Sequence, residues 1–152
     1  MPGLIPLYYT SCLFGSVIIH AYYERIAWLH HLYVLLTMLS IVQHAKKFDL
    51  YKGKKIVERA DTIVAHIVAL CLTWNMLSLS LTNSNICHSL TISKTMYKIG
   101  FWSSWTAINL IFYVPFIYTN RVKPCIKTVY TYHGLLHIIS TIGSHCMIMA
   151  QN

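Results

Sequence analysis

The sequence contains few charged residues for its length. Charged side chains make up 11% of its 152 residues, and only four residues are acidic, whereas a soluble domain usually carries about 25%. The hydrophobic share is 56% and the mean hydropathy is +0.53. A chain with so little polar surface cannot cover itself with water-facing groups. The composition therefore argues against a soluble domain and indicates an integral membrane protein.

Several common sequence signals are also missing. The five cysteines form no C-x2-C pair, so neither a disulfide framework nor a zinc knuckle is expected. The first twenty residues lack a basic stretch and a small-residue cleavage site, so we expect a retained first helix and no cleaved signal peptide.

The net charge is +8, but the basic residues are grouped between apolar runs. This grouping is typical of membrane proteins, in which basic residues between the helices determine the orientation. No nucleic-acid partner is therefore expected.

Five apolar segments are each close to the ~20 residues needed to cross a bilayer. We predict an all-α fold: a polytopic membrane bundle of about five transmembrane helices, forming one domain over residues 1–152. The predicted helices span 4–22, 27–45, 60–81, 100–119 and 126–150. The polar stretch 82–98 between the third and fourth segments is predicted to be a loop.

The distribution of lysine and arginine predicts the orientation of this bundle. Nine basic residues lie between the second and third or between the fourth and fifth segments, which face the same side. Only Arg25, Lys94 and Lys98 belong to the opposite side. Because cytoplasmic loops carry the excess of basic residues, we predict a cytoplasmic N-terminus and an outer or lumenal C-terminus.

Five polar residues in three of the segments are candidates for a functional site. His133 and His137 lie four apart in the fifth segment. Ser40 and His44 lie four apart at the end of the second, and Asp61 lies near the start of the third. Residues four apart share a helix face, and the predicted topology puts all five at cytoplasmic helix ends. Two simpler explanations are open: histidines also hydrogen-bond neighbouring membrane helices, and an aspartate often caps a first turn.

The chemistry that suits this set is zinc binding. Three imidazoles with one open position are typical of catalytic zinc sites, so we predict Zn2+ bound by His44, His133 and His137. Zinc lowers the pKa of bound water to about 7. Asp61 would then orient or deprotonate that water, and Ser40 would stabilise the developing oxyanion or support a ligand. The remaining histidines near the outer ends, including His20 and His145, are predicted to be solvated.

In their order along the chain, these motifs resemble the CREST superfamily of membrane hydrolases. That group includes alkaline ceramidases, progestin/adiponectin receptors, GPI-lipid remodelling proteins and myomaker-like proteins. Its signature of S-x3-H, then Asp, then H-x3-H matches Ser40, His44, Asp61, His133 and His137. The resemblance implies zinc at the three histidines and hydrolysis of lipid amide or ester bonds. Family members have seven helices, so a chain with five would be a shortened form.

Three functions follow as hypotheses. The first is an enzyme: a zinc-dependent, ceramidase-like membrane hydrolase acting on a lipid amide or ester bond near the cytoplasmic leaflet, with a membrane lipid as its substrate. The second is a non-catalytic receptor-like or membrane-remodelling protein with a structural zinc site. The third is a b-type cytochrome, in which histidines from different helices bind haem.

Overall fold

The computed structural model describes residues 7–44, 54–82, 91–119 and 126–151, all of which form helices or the turns between them. No strand occurs in these ranges, so the predicted all-α fold is confirmed for them. The helices are α1 (Leu7–Ser11), α2 (Phe14–Tyr23), α3 (Ala27–His44), α4 (Lys54–Thr82), α5 (Thr91–Thr119) and α6 (Ile126–Gln151).

The apolar segments located the helices but not all of their ends. The predictions for α3 and α6 agree with the structure almost to the residue. By contrast, α4 begins six residues before the predicted start, and α5 begins at Thr91, within the predicted loop 82–98. Hydropathy marks only the apolar part of a helix, whereas backbone hydrogen bonding continues through polar residues. The basic stretches at 45–53 and 120–125 lie outside the described residues.

The predicted first helix is divided into two pieces at Cys12 and Leu13. Around this break the backbone forms i to i−3 hydrogen bonds, including Leu13 N–H to Thr10 O at 3.2 Å and Gly15 N–H to Cys12 O at 3.0 Å. Such bonds tighten the turn relative to an α-helix. As a result α1 is a short separate element that packs against both α3 and α6.

A tight turn at Glu24 and Arg25 ends α2, in the gap between the predicted helices 4–22 and 27–45. The Ile26 N–H donates to Ala21 O at 2.9 Å and the Arg25 N–H donates to Tyr22 O at 3.1 Å. These two bonds form a Schellman motif. Arg25 has φ 57°, a left-handed conformation usually taken by glycine. The turn returns the chain so that α3 packs directly on α2.

The centre of the bundle is formed by α1, α2, α3 and α6, with α4 packed against α3 and α5 packed mainly against α6. A buried hydrogen bond joins the Tyr33 and Ser144 hydroxyls across α3 and α6. His44 lies eleven residues after Tyr33, and His133 lies eleven residues before Ser144. Since the rings of His44 and His133 are also in contact, α3 and α6 run antiparallel. The C-terminal end of α3 therefore meets the N-terminal third of α6.

One helix in the described part of the chain is long and apolar enough to cross a membrane, over Lys55–Leu81 in α4. Only 22% of its apolar window is buried, and Leu70 and Trp74 are 70% and 72% exposed. The core helix of a soluble protein would be mostly buried. The outward face of α4 therefore carries large apolar side chains, as its buried face does.

The contact between α5 and α6 is made by small residues. A Cβ placed on Gly100 of α5 would lie 2.8 Å from the Cys146 Sγ, and one placed on Gly143 of α6 would lie 3.0 Å from the Ser104 Cβ. Gly100 and Ser104 are four apart and so lie on one face of α5. Small residues at this spacing let helix backbones approach closely, a pattern common between membrane helices.

We expect Gly100→Ala to destabilise the protein and Gly15→Ala not to. Overpacking a close contact costs about 1–3 kcal/mol, whereas a Cβ on Gly15 has nothing within 4 Å. Alanine at Gly15 should gain up to ~1 kcal/mol of helix propensity. Thermal unfolding in detergent measures both changes. Adding Cys146→Ala to Gly100→Ala removes the clashing sulfur and should restore stability. If both glycine substitutions stabilise the protein equally, the close contact between α5 and α6 is contradicted.

Candidate metal centre

Three histidine side chains from α3 and α6 converge at one end of the bundle. One ring nitrogen from each of His44, His133 and His137 lies within 4.8 Å of the other two. The ring centroids are 4.8 Å apart for His44 and His133, 5.6 Å for His44 and His137, and 4.7 Å for His133 and His137. These three histidines, which the sequence predicted to act together, lie close enough to bind a metal ion.

Local helix geometry explains the convergence. His133 and His137 project from one face of α6, one turn apart, and His44 is the last residue of α3. Because α3 and α6 are antiparallel, the end of α3 lies opposite the start of α6. The structure therefore brings His44 to the same end of the bundle as His133 and His137, as the sequence predicted.

The donor set fits a small metal ion. The Nε2 atom of His44 is buried and has no hydrogen-bond partner among the described residues, although buried ring nitrogens normally have one. Bonds of ~2.0 Å from a tetrahedral ion to imidazole would place ligand nitrogens ~3.4 Å apart. The observed separations of up to 4.8 Å are larger than this, so small side-chain rotations would complete the set. Neutral imidazoles suit zinc, copper, iron and nickel.

Short helix α1 lies directly beside this cluster. The Thr10 Oγ1 and the His137 Nδ1 are hydrogen-bonded at 2.9 Å. The Ser11 Oγ and the Ser40 Oγ are hydrogen-bonded at 2.9 Å. The ring of Phe14, the first residue of α2, packs on His137 with the centroids 5.0 Å apart. The sequence did not predict these contacts. Its only signal for them was the polar pair Thr10 and Ser11, in the predicted cytoplasmic part of the first apolar segment.

Ser40 lies next to the histidine cluster but faces α1. It is buried, with 1% of its surface exposed, and its hydroxyl is bonded to Ser11. It lies one turn before His44 on α3. This position agrees better with supporting the end of α3 than with direct contact to a substrate.

Asp61 lies inside α4, where it cannot act as a helix cap. Since α4 begins at Lys54, Asp61 is two turns into the helix, and the capping explanation is wrong. The residue is 8% exposed, and its Oδ1 atom is buried with no hydrogen-bond partner in the described ranges. No hydrogen bond joins Asp61 to the three histidines within those ranges. A buried carboxylate oxygen left unpaired is costly to stability, which favours a functional explanation.

A second pair of histidines joins α2 to α6 further along the bundle. The Nδ1 atoms of His20 and His145 are 2.7 Å apart, and the Ser16 Oγ lies 2.9 Å from the His145 Nε2. The prediction that these two histidines are merely solvated is therefore wrong, because side chains from distant parts of the sequence meet. Two ring nitrogens at this distance share a hydrogen and leave no room for an ion, whose ~2.0 Å bonds need a wider gap.

The cluster of three histidines also bears on the haem hypothesis. Its ring centroids are 4.7 to 5.6 Å apart, which leaves little space for a porphyrin between two of the rings. Phe14 and Thr10 occupy two sides of His137. The geometry of these residues therefore favours a bare ion over haem.

No protein-family model matches the sequence, and neither the curated proteins nor the solved structures give a significant match. The resemblance to membrane hydrolases stays a prediction that depends on five residues.

Proposed function

We propose that this protein is a multi-pass integral membrane enzyme that binds zinc through His44, His133 and His137 and hydrolyses a lipid amide or ester bond near the cytoplasmic leaflet. The observation that carries the proposal is the convergence of three imidazole nitrogens within 4.8 Å. They come from two helices whose relevant residues are separated by almost ninety positions of sequence. Such a cluster of neutral donors has an obvious chemical use in metal binding.

The distribution of apolar side chains supports the membrane location. Among the described residues, 22 large hydrophobic side chains are exposed, compared with 14 hydrophobic residues in the buried core. Exposed apolar residues occur on every helix from α2 to α6. A water-soluble monomer rarely exposes so many large apolar side chains. Lipid would cover this surface, and the close contact of small residues between α5 and α6 is of the type that membrane helices use.

Histidines reduce the apolar character of two helices. His30, His31 and His44 lie in α3, and His133, His137 and His145 lie in α6. Imidazoles lower the hydropathy of both helices, although the surrounding residues are apolar. In a membrane, polar groups of this kind face the bundle interior and mark functional sites. The contacts of His44, His133 and His137 with one another follow that rule.

Zinc bound by three histidines would act as a Lewis acid and supply a water-derived nucleophile near neutral pH. The protein would contribute the remaining groups. The carboxylate of Asp61 would accept the proton of the attacking water and later deliver it to the leaving amine or alcohol. Ser40 would act as a positioning residue through Ser11 and α1. The apolar surround would hold the acyl chains of the lipid beside the site.

A non-catalytic metal site is the second candidate. It is favoured by the lack of a hydrogen bond between Asp61 and the histidines among the described residues, and by the position of the cluster where α1, α3 and α6 meet. A metal there would hold the ends of these helices together without turnover. Substitution of Asp61 distinguishes the two candidates, because only the enzyme needs a proton acceptor.

The proposal is tested on protein purified in detergent from membranes washed with alkaline carbonate. We expect the protein to stay with the washed membranes, because its outer surface is apolar, and to contain one zinc per chain by elemental analysis. We also expect it to release fatty acid from a panel of labelled ceramides and ester lipids, and a zinc chelator to stop that release. Extraction by carbonate would overturn the membrane location, and purified protein without zinc would overturn the metal site.

A further inference from the structure

The ring of His137 has a hydrogen-bond partner on one nitrogen only, as far as the described residues show. Its Nδ1 is 2.9 Å from the Thr10 Oγ1, and its side chain is 7% exposed. An imidazole that binds a metal does so through one nitrogen, and the other nitrogen then carries a proton that needs an acceptor. With Nδ1 directed to Thr10, Nε2 is the nitrogen left for the ion.

We propose that Thr10 is a positioning residue that selects the metal-binding tautomer of His137. The Nδ1–H of His137 donates to the Thr10 hydroxyl oxygen, so the lone pair of Nε2 faces His44 and His133. This inference rests on the proposed zinc site and specifies how the protein prepares it. It extends the site from α3 and α6 to α1, which the sequence motifs do not include.

The structure of α1 explains how one short helix reaches both sides of the site. Thr10 and Ser11 are consecutive, and consecutive side chains on a helix point ~100° apart. Thr10 therefore reaches α6 while Ser11 reaches Ser40 on α3. Ser11 is fully buried, so α1 is held between the two helices. The tight turn at Cys12 and Leu13 lets α1 take this direction independently of α2.

Phe14 limits the other movements of the same ring. Its ring centroid is 5.0 Å from that of His137 with the planes tilted by 51°, and Phe14 itself is 4% exposed. Rotation of the imidazole away from Thr10 would collide with this buried ring. The hydrogen bond and the packing contact together limit His137 to small rotations about this orientation.

The inference is tested by the zinc affinity of Thr10→Val, which keeps the branched shape and removes the hydroxyl. Loss of such a supporting hydrogen bond weakens metal affinity by about 10–100-fold, measured by competition with a coloured zinc chelator in detergent. Thr10→Ser restores the hydroxyl and should bind zinc nearly as tightly as wild type. Thr37→Val is the matched control, since the Thr37 hydroxyl donates only to the Tyr33 carbonyl within α3.

A second measurement does not depend on the folding of Thr10→Val. In wild-type protein with zinc and with 15N in its imidazoles, NMR should show His137 protonated at Nδ1, with the signal identified by its loss in His137→Gln. A proton on Nε2 would overturn the inference. If wild type binds zinc and Thr10→Val binds it equally well, the role of Thr10 is wrong but the zinc site stands. If wild type binds no zinc, both fail.

Discussion

Substitution of His137 by alanine should remove the metal from the protein. His137 is the buried member of the cluster, with ring contacts to both His44 and His133. Loss of a hydrogen-bonding group that supports a metal ligand weakens metal affinity by up to ~100-fold. Removal of one of the three histidines should weaken zinc binding by more than this. We therefore expect one zinc per chain in wild type and almost none in His137→Ala, measured by elemental analysis after gel filtration in detergent.

His145→Ala is the matched control for this experiment. It removes a histidine from the same helix, two turns further along, and its partners are His20 and Ser16 instead of the cluster. We expect His145→Ala to retain its zinc. Equal metal loss in both variants would indicate general damage to α6, and full zinc content in His137→Ala would contradict the proposed ligand set.

Thermal unfolding separates the two effects of the same substitution. His137→Ala removes a proposed metal ligand and also the bond to Thr10 and the contact with Phe14. Chelated wild-type protein lacks only the metal. We expect wild type to lose stability on chelation, because a ligand that binds only the folded state stabilises it. His137→Ala should unfold at a still lower temperature and should not respond to the chelator.

Substitution of Asp61 by asparagine should abolish most turnover while leaving the metal in place. Asparagine has nearly the same shape, but its amide cannot accept the proton of an attacking water. Loss of a general base lowers the rate by about 10²–10⁴-fold. The zinc content should be that of wild type, since the three histidines are unchanged. Release of fatty acid from the best lipid of the substrate panel, together with elemental analysis, measures both quantities.

Glu58→Gln provides the comparison on the same helix. Glu58 precedes Asp61 by one turn and is exposed on α4, so its neutralisation should leave turnover unchanged. Unaltered hydrolysis in Asp61→Asn would exclude its role as proton acceptor. Protein that binds zinc but hydrolyses no lipid, in wild type and Asp61→Asn alike, would favour the structural metal site.

The histidine cluster was predictable because its members follow helix periodicity. His133 and His137 share a face through their spacing alone, and the predicted alternation of helix directions put His44 at the same end of the bundle as this pair. Asp61 was assigned to the correct helix, but the capping alternative could be rejected only once the start of α4 at Lys54 was known. Helix ends depend on backbone hydrogen bonds that continue through polar residues, so hydropathy does not locate them.

The contacts of α1 could not be predicted in the same way. Thr10 meets His137 across 127 positions of sequence, and His20 meets His145 across 125. No periodicity links residues so far apart, because their approach depends on how helices pack. The break at Cys12 and Leu13 is equally hidden, since its residues are apolar or small and match an uninterrupted segment.

The sequence by itself determined the helical composition of this protein, its apolar character and the five polar residues around which a site could form. Composition and spacing are sufficient for those features because they depend on local geometry and on the solvent preference of side chains. Only the tertiary structure decided that the three histidines meet, that α1 contacts His137 and Ser40, and that one buried oxygen of Asp61 has no hydrogen-bond partner among the described residues. Those features depend on the packing of antiparallel helices, where the shape of each surface selects its neighbour.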